Sequence, residues 1–337
     1  MQGEKQYKTG LDVGSTTAKI VIIDESGQTV FSRYERHNAQ VNDLLSAYFR
    51  EARQELGNIE TSIAVTGSVG MGTAEQLRTE FIQEVVAATR YAQQLYPSAS
   101  ALIDIGGEDA KVVLFQGNHI DLRMNGNCAG GTGAFIDQMA VLLGVDIEEL
   151  SRLALQAEHI HPIAARCGVF SKTDIQNLVS RNVPLGDIAA SIFHAVAVQT
   201  IVTLSRGWTF HPPILLCGGP LTFIPALRKA FADYLHLQES DFILPAGGNL
   251  LPALGCALCA TEEKAVALST LENLISRSTD ITTKNSLPPL FDSETDYDNW
   301  KKEKAHYNWP SAPLVQRIQE AVLGIDSGST TTKIVVT

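Results

Sequence analysis

Asp12 ends an apolar run and is followed by Gly14, Ser15, Thr16, Thr17 and Lys19. A carboxylate at a strand end, a glycine that lets backbone N–H groups approach an anion, and hydroxyls for phosphate oxygens make the chemistry of a nucleotide cradle. The spacing is neither a Walker A loop nor the dinucleotide-binding glycine loop. Taken alone, the segment is as readily a Gly-Ser hairpin between two buried strands. A second element of the same design, Asp104-Ile-Gly106-Gly107-Glu108-Asp109, weakens that bland alternative. Two facing Asp-x-Gly hairpins can grip the β- and γ-phosphates from both sides. Their carboxylates, Asp12 and Asp104, can then hold Mg2+ and orient an attacking water. Cys217-Gly218-Gly219-Pro220, after a third strand, suits the close backbone approach needed around an adenosine.

The cysteines carry a different chemistry. Cys128 stands before Gly130-Gly131-Thr132-Gly133, a glycine turn that opens a helix, and Cys167 follows Arg166 ahead of Ser171 and Asp174, which are placed to cap another. A thiolate at either place gains from backbone N–H groups and the positive helix end. The alternative is two small buried hydrophobes. Two sulfurs do not complete a four-thiolate site, so ligation needs a second pair, from a homodimer or from a second repeat. Cys256 and Cys259 share a face of an Ala/Leu-rich helix and Cys217 ends a strand, so all three read as packing residues. His159 and His161 read as loop residues, Trp208 and Phe210 as packing.

The elements that must position these groups follow from periodicity. Strands are expected from Thr9 through Ile23 around the glycine insert, at Thr29–Tyr34, Ser62–Thr66, Ala101–Phe115 around the second insert, and Ile214–Cys217. Helices are expected at Val41–Leu56, Ala74–Leu95, Gly133–Leu143, Ile147–Gln156, Lys172–Ser180, Ile188–Leu204, Ile224–Tyr234 and Gly255–Leu274. Strands alternating with helices predict an α/β protein with crossover helices. The 337 residues, 45% hydrophobic, suffice for two lobes. A net charge of −11 without clustered Lys and Arg excludes a nucleic-acid surface. The polar start carries no signal peptide and no apolar run is expected to span a bilayer, which predicts a cytoplasmic protein with no membrane partner.

Gly324 to Val336 repeats Gly10 to Ile22 residue for residue except at Leu11/Ile325, Val13/Ser327, Ala18/Thr332 and Ile22/Val336. The stretch before it turns rich in Ser, Thr, Asp and Lys and is punctuated by Pro288, Pro289, Pro310 and Pro313, which predicts a linker over 276–320 without a long element. Residues 321–337 then read as the start of a second, truncated copy of the domain.

The three glycine turns, in this order, resemble the phosphate 1, phosphate 2 and adenosine motifs of the actin and sugar-kinase superfamily. That resemblance implies a two-lobed, ribonuclease H-like fold with a nucleotide cleft between lobes, residues 8–98 plus 247–275 forming the first lobe and 99–246 the second. The Cys-x-x-Gly-Thr-Gly-x-Phe run at Cys128 and the Cys-x-Val-Phe run at Cys167 narrow it: the chain is similar to the BadF/BadG/BcrA/BcrD-type ATPases, the activators of 2-hydroxyacyl-CoA dehydratases and benzoyl-CoA reductases. The resemblance implies ATP/ADP and Mg2+ as ligands. It also implies a [4Fe-4S] cluster shared between two units through Cys128 and Cys167 of each, and a CoA-thioester dehydratase or reductase component as electron acceptor. Gly14, Ser15, Thr16, Thr17, Lys19, Gly106, Gly107, Gly131, Thr132, Gly218 and Gly219 become the expected nucleotide-binding residues, and Asp12, Asp104 and Glu108 the expected catalytic ones. Glu108 departs from the Gln usual in this motif; the extra carboxylate either raises Mg2+ affinity or acts as a base.

Two rival readings share the fold. A sugar or small-metabolite kinase predicts an iron-free protein with Asp104 as catalytic base. A nucleotide-gated interaction module predicts binding without turnover.

Overall fold

A computed structural model of the protein describes residues 6–117, 119–125, 130–165, 167–261, 265–276, 288–307, 321–328 and 331–336. The chain divides into two units, Met1–Arg277 and Ser278–Thr337.

In the first unit, β1 (Tyr7–Val13), β2 (Thr17–Ile23) and β3 (Thr29–Arg36) form an antiparallel meander. Helix α1 (Val41–Leu56) buries Leu45, Tyr48, Phe49 and Ala52, the i, i+3, i+4, i+7 stripe of an amphipathic helix, and stops at Gly57, whose φ is 82°. It leads to β4 (Glu60–Thr66), parallel to β1. Helix α2 (Gly70–Leu77), the short β5 (Glu80–Phe81) and α3 (Glu84–Leu95) follow. The pattern then repeats: β6 (Ala101–Ile105), β7 (Ala110–Gln116) and β8 (His119–Asn125) form a second antiparallel meander. After α4 (Gly133–Leu143), α5 (Ile147–Ala154), α6 (Gly168–Ser180) and α7 (Leu185–Ser205), β9 (Ile214–Cys217) runs parallel to β6 as β4 does to β1. Helices α8 (Gly219–Phe223) and α9 (Pro225–Leu235) and strand β10 (Phe242–Ile243) complete this sheet's surroundings. Helix α10 (Leu251–Cys259), β11 (Ala265–Ala267) and α11 (Leu268–Ser276) return to the first sheet. The strand orders are β11-β4-β1-β2-β3, with β5 beside β4, and β10-β9-β6-β7-β8.

Strand alternation decides what faces what. Ile20 and Ile22 pack with Leu11, Val13 and Phe49 in one core, whereas Val21 and Ile23 join Leu102, Val113, Leu215, Cys217, Tyr91, Leu251 and Leu254 in a middle layer. Helices α3 and α10 form that layer. Ile103, Ile105 and Val112 face away from it, into the large core built on α4, α7 and α9. By the same parity Asp12, Lys19, Asp104 and Lys111 stand on the inner faces of the two sheets.

Four differences from the expected elements have local causes. The helix expected over 74–95 is interrupted: Arg78 is left-handed (φ 54°), the Thr79 hydroxyl donates to the Ile63 carbonyl, and Glu80 and Phe81 pair with Ala64 and Val65. The expected helix 255–274 stops at Cys259, because Ala265–Ala267 pair with Thr61 and its neighbours on β4. Strand β8 went unread because its polar, alternately exposed residues lie on a sheet edge. Helix α7, contrary to expectation, is an apolar stretch long enough to cross a bilayer; 67% of its most apolar window is buried among the other elements of its lobe.

In the second unit, β12 (Leu323–Ser327) and β13 (Thr332–Val336) form a hairpin whose register opposes Asp326 to Lys333, as β1–β2 opposes Asp12 to Lys19. One flanking backbone bond matches too: Gly328 N donates to Thr331 O at 3.0 Å and Gly14 N to Thr17 O at 3.0 Å. The stretch expected to lack a long element holds α12 (Glu294–Ala305), capped by Ser293, whose hydroxyl accepts from Asp296 N.

Candidate functional site: an interlobe nucleotide cleft

The two glycine hairpins meet across the space between the sheets. Gly106 N donates to Asp109 O at 2.9 Å, the same closure as Gly14 to Thr17. A Cβ on Gly107 would lie 2.7 Å from Thr16 Oγ1, so glycine is what allows the hairpins to abut. The first hairpin is braced from outside by His37, whose Nε2 is 3.0 Å from Gly14 O. The second is braced by α4: Gly133 N and Ala134 N donate to the carbonyls of Gly106 and Gly107 at 2.9 and 2.7 Å.

One cavity, of about 690 Å³, is lined by Asp12, Gly14, Ser15, Thr16, Thr17, Lys19, Gly106, Gly107, Glu108, Asp109, Ser68 and Glu84. Its hydroxyls, hairpin amides and ammonium suit a polyphosphate. A second, of about 820 Å³, shares Thr16, Thr17, Lys19, Glu84, Gly106 and Gly107 and extends past Asp104 to Gly218, Gly219, Pro220, Tyr34, Phe223, Ile136 and Pro252. The rings of Tyr34 and Phe223 stand 5.8 Å apart there, giving an apolar wall for a base. Gly218 has φ 86°, and a Cβ on it would strike Ile105 O at 2.0 Å.

The electrostatics are those of a crowded, largely buried cluster. Asp12 and Asp104 are only 1% and 4% exposed. Lys19 Nζ lies 2.5 Å from Asp12 Oδ2. Burial pulls the Lys19 ammonium down, but Asp12, helped by Glu84 and Asp104, outweighs it and holds Lys19 above its ordinary value. Lys111 Nζ lies 2.6 Å from Glu84 Oε1 and 2.9 Å from Asp109 Oδ2. It is raised too, burial being outweighed by Glu84, Asp104 and Asp109. Burial raises Asp104, with Lys111 opposing. Glu84 is pushed up to about 7 by burial and then by Asp12. Sequence reasoning missed Glu84: it lies on α3, outside both glycine motifs, and only the fold brings its helix N-terminus between the hairpins.

Of the other expected residues, Glu108 is exposed at the mouth of the phosphate cavity. Gly131 and Thr132 are buried behind the cleft; the walls are formed instead by Gly133 and Ala134, while a Cβ on Gly131 would press on Gln199 of α7. Cys167 is a half-buried free thiol at the residue preceding α6. The Ser171–Asp174 cap expected for that helix is differently arranged. The helix starts at Gly168, the Ser171 hydroxyl bonds back to Ala164 O and Cys167 O, and Asp174 accepts from Ala164 N at 2.8 Å. Cys128 and Arg166 lie outside the described residues. Cys217 and Cys256 are fully buried, and Cys259 is half-buried. His159 and His161 lie in the loop before Cys167, which is tied to α7 through Asp187 and Ser191.

Comparison with known proteins agrees with this geometry. Residues 9–260 match the BadF/BadG/BcrA/BcrD ATPase family. The chain is 28% identical over 276 residues to the 2-hydroxyisocaproyl-CoA dehydratase activator of Clostridioides difficile, covering 80% of this chain and 100% of that one. It is 29% identical over 265 residues to the (R)-2-hydroxyglutaryl-CoA dehydratase activating ATPase of Acidaminococcus fermentans, covering 77% and 98%. The solved structure of the Clostridium difficile activator with bound ADPNP superimposes with a TM-score of 0.64 at 26% identity, covering 82% of this chain and 99% of that one. With the duplicated sheets and the facing hairpins, these matches establish that the chain belongs to the BadF/BadG/BcrA/BcrD ATPase family and has its two-lobed actin-like fold.

Proposed function

We propose that the protein is an ATP-dependent activator that delivers a low-potential electron to a 2-hydroxyacyl-CoA dehydratase or benzoyl-CoA reductase type partner. The observation that carries the reading is the pair of facing Asp-x-Gly hairpins on different sheets, with room between them for a nucleotide. A nucleotide held by both hairpins binds the closed arrangement better than an open one. Swinging such an equilibrium decisively takes about 5.5 kcal/mol of differential binding.

In this reading Gly14, Ser15, Thr16, Thr17, Gly106 and Gly107 offer hydroxyls and amides to the phosphates, and Gly218 and Gly219 back the adenosine. Asp12 and Asp104 suit Mg2+, which prefers carboxylate oxygens and water. Asp104 and Glu108 orient the attacking water. Cys128 and Cys167 would hold a [4Fe-4S] cluster together with the same pair from a second unit. Cys167 fits that role on the side described: it is unpaired, half-buried and adjacent to the amides that start α6. When bound, the cluster supplies a one-electron donor. Val169 and Phe170, exposed on the first turn of α6, suit a protein partner at the same end.

Anaerobic purification followed by iron, sulfide and ATPase measurements tests the reading. The expected result is iron and sulfide in a ratio of about one cluster per two units, lost in Cys167→Ala and Cys128→Ala. Full iron content in either variant sinks the ligand assignment. Iron-free protein that phosphorylates a sugar would favour the kinase reading instead.

A further inference from the structure

The duplicated sheets allow the two sides of the cleft to be compared position by position, and the comparison isolates one residue. In the first sheet the register sets Thr66, Asp12 and Lys19 side by side; in the second it sets Cys217, Asp104 and Lys111 side by side. The first lysine closes on its neighbour, with Lys19 Nζ 2.5 Å from Asp12 Oδ2. The second does not. Lys111 turns to Glu84 Oε1 at 2.6 Å and Asp109 Oδ2 at 2.9 Å, and among the described residues no ion pair joins it to Asp104.

Backbone pairing is the same in both rows, so it does not account for the difference. Two carboxylates differ: Asp109, which stands where the first hairpin has Thr17, and Glu84, which enters from the first turn of α3, makes the shorter contact with Lys111 and lines both cavities. An ammonium among several carboxylates settles where the most direct hydrogen-bonded contacts are available. We propose that Glu84 is a positioning residue of the cleft: it holds Lys111 out of hydrogen-bond contact with Asp104 and so leaves the Asp104 oxygens without a bound ammonium, facing the nucleotide space. The proposal rests on the reading of the cleft as an ATP site and deepens it.

The consequence is a division of labour between two acids that look equivalent in sequence. Asp12 has one oxygen, Oδ2, taken by its lysine. Asp104 keeps its oxygens open to a cation or to the proton of a water, because a carboxylate oxygen already taken by an ammonium is a poorer acceptor for either.

Glu84→Gln, Glu84→Ala, Lys111→Met and the double variant E84A/K111M provide the test, with thermal unfolding confirming that each is folded. Crystal structures of the two Glu84 variants are expected to show Lys111 Nζ within ion-pair distance of Asp104. This readout does not depend on catalysis. The turnover number for ATP is expected to fall on the order of 10- to 100-fold in both, as for a misplaced catalytic group, with ADP affinity changed much less. In the double variant the rate is expected to equal that of Lys111→Met alone, since Glu84 then has nothing to position. Lys111 remaining on Asp109 in the variant structures, or wild-type turnover in Glu84→Ala, or losses that multiply in the double variant, would each overturn the proposal. Wild-type protein that neither binds ADP nor hydrolyses ATP would instead defeat the ATP-site reading, and the structural readout separates the two failures.

Discussion

Arg36 Nη2, at the end of β3, lies 2.8 Å from Asp137 Oδ2 on α4, and the pair spans the mouth of the cleft from one lobe to the other. Both residues line the adenosine-side cavity. Arg36 is largely in solvent, so the pair contributes at most about 1 kcal/mol to stability. Its effect is expected in kinetics. Arg36→Ala should leave the unfolding midpoint nearly unchanged while speeding release of a fluorescent ADP analogue, measured by stopped flow. Unchanged release rates would show that the pair does not gate the mouth.

Glu84 makes stability depend on pH in a predictable direction. Its carboxyl is raised from 4.5 to about 7 by burial and by Asp12. The folded state therefore keeps a proton that the unfolded chain gives up. Below about pH 4.5 this group costs nothing; as pH rises towards 7 it destabilises the fold, by roughly 3 kcal/mol at full extent. Urea unfolding of wild type and Glu84→Gln at pH 5.5 and pH 8 should show the variant gaining relative to wild type at the higher pH. A constant difference across that range would contradict the assignment.

The cysteines should separate by reactivity. Cys217 and Cys256 are fully buried, and burial, with Asp104 and Asp12 nearby, pushes their thiols up. Cys167 is half-buried. In reduced, iron-free protein, mass-spectrometric mapping of iodoacetamide adducts should find Cys167 modified on the order of 100-fold faster than the other two, which react only after local opening. Comparable rates would mean that the α10 and β9 cores open readily.

Gly218→Ala should be among the most damaging small substitutions. The left-handed backbone and the 2.0 Å approach to Ile105 O leave no place for a methyl group. A loss of more than about 3 kcal/mol is expected, with impaired ADP binding. Gly117→Ala is the control: its φ is also positive, at 59°, but a Cβ there meets nothing within 4 Å, and about 1 kcal/mol should be lost. Equal losses at the two sites would show that φ alone, and not the close approach, sets the cost.

Much of the fold was legible where its signals are local. The α1 stripe of Leu45, Tyr48, Phe49 and Ala52, the glycine hairpins and the strand before Cys217 depend on periodicity and turn chemistry, which a single sequence carries. What escaped reading depends on partners distant in the chain. Glu80–Phe81 and Ala265–Ala267 become strands only because β4 offers them an edge. Glu84 shows the same limit within the site. Its spacing from Asp12 and Asp104 follows no motif, and it reaches them only because α3 packs between the sheets. The asymmetry between Lys19 and Lys111 was equally hidden, since both stand at the same distance from their motif aspartates in sequence and in register.

The pairing of β12 and β13 reproduces the register of β1 and β2 although its apolar residues Ile325, Ile334 and Val335 are exposed. The strand register that flanks the first glycine turn is thus carried by contiguous residues and does not need burial against a core. Hairpins of this size close within about 1–10 μs. Pairing of β1 with β2 is therefore expected at the start of folding, ahead of the long-range pairing of β4 with β1.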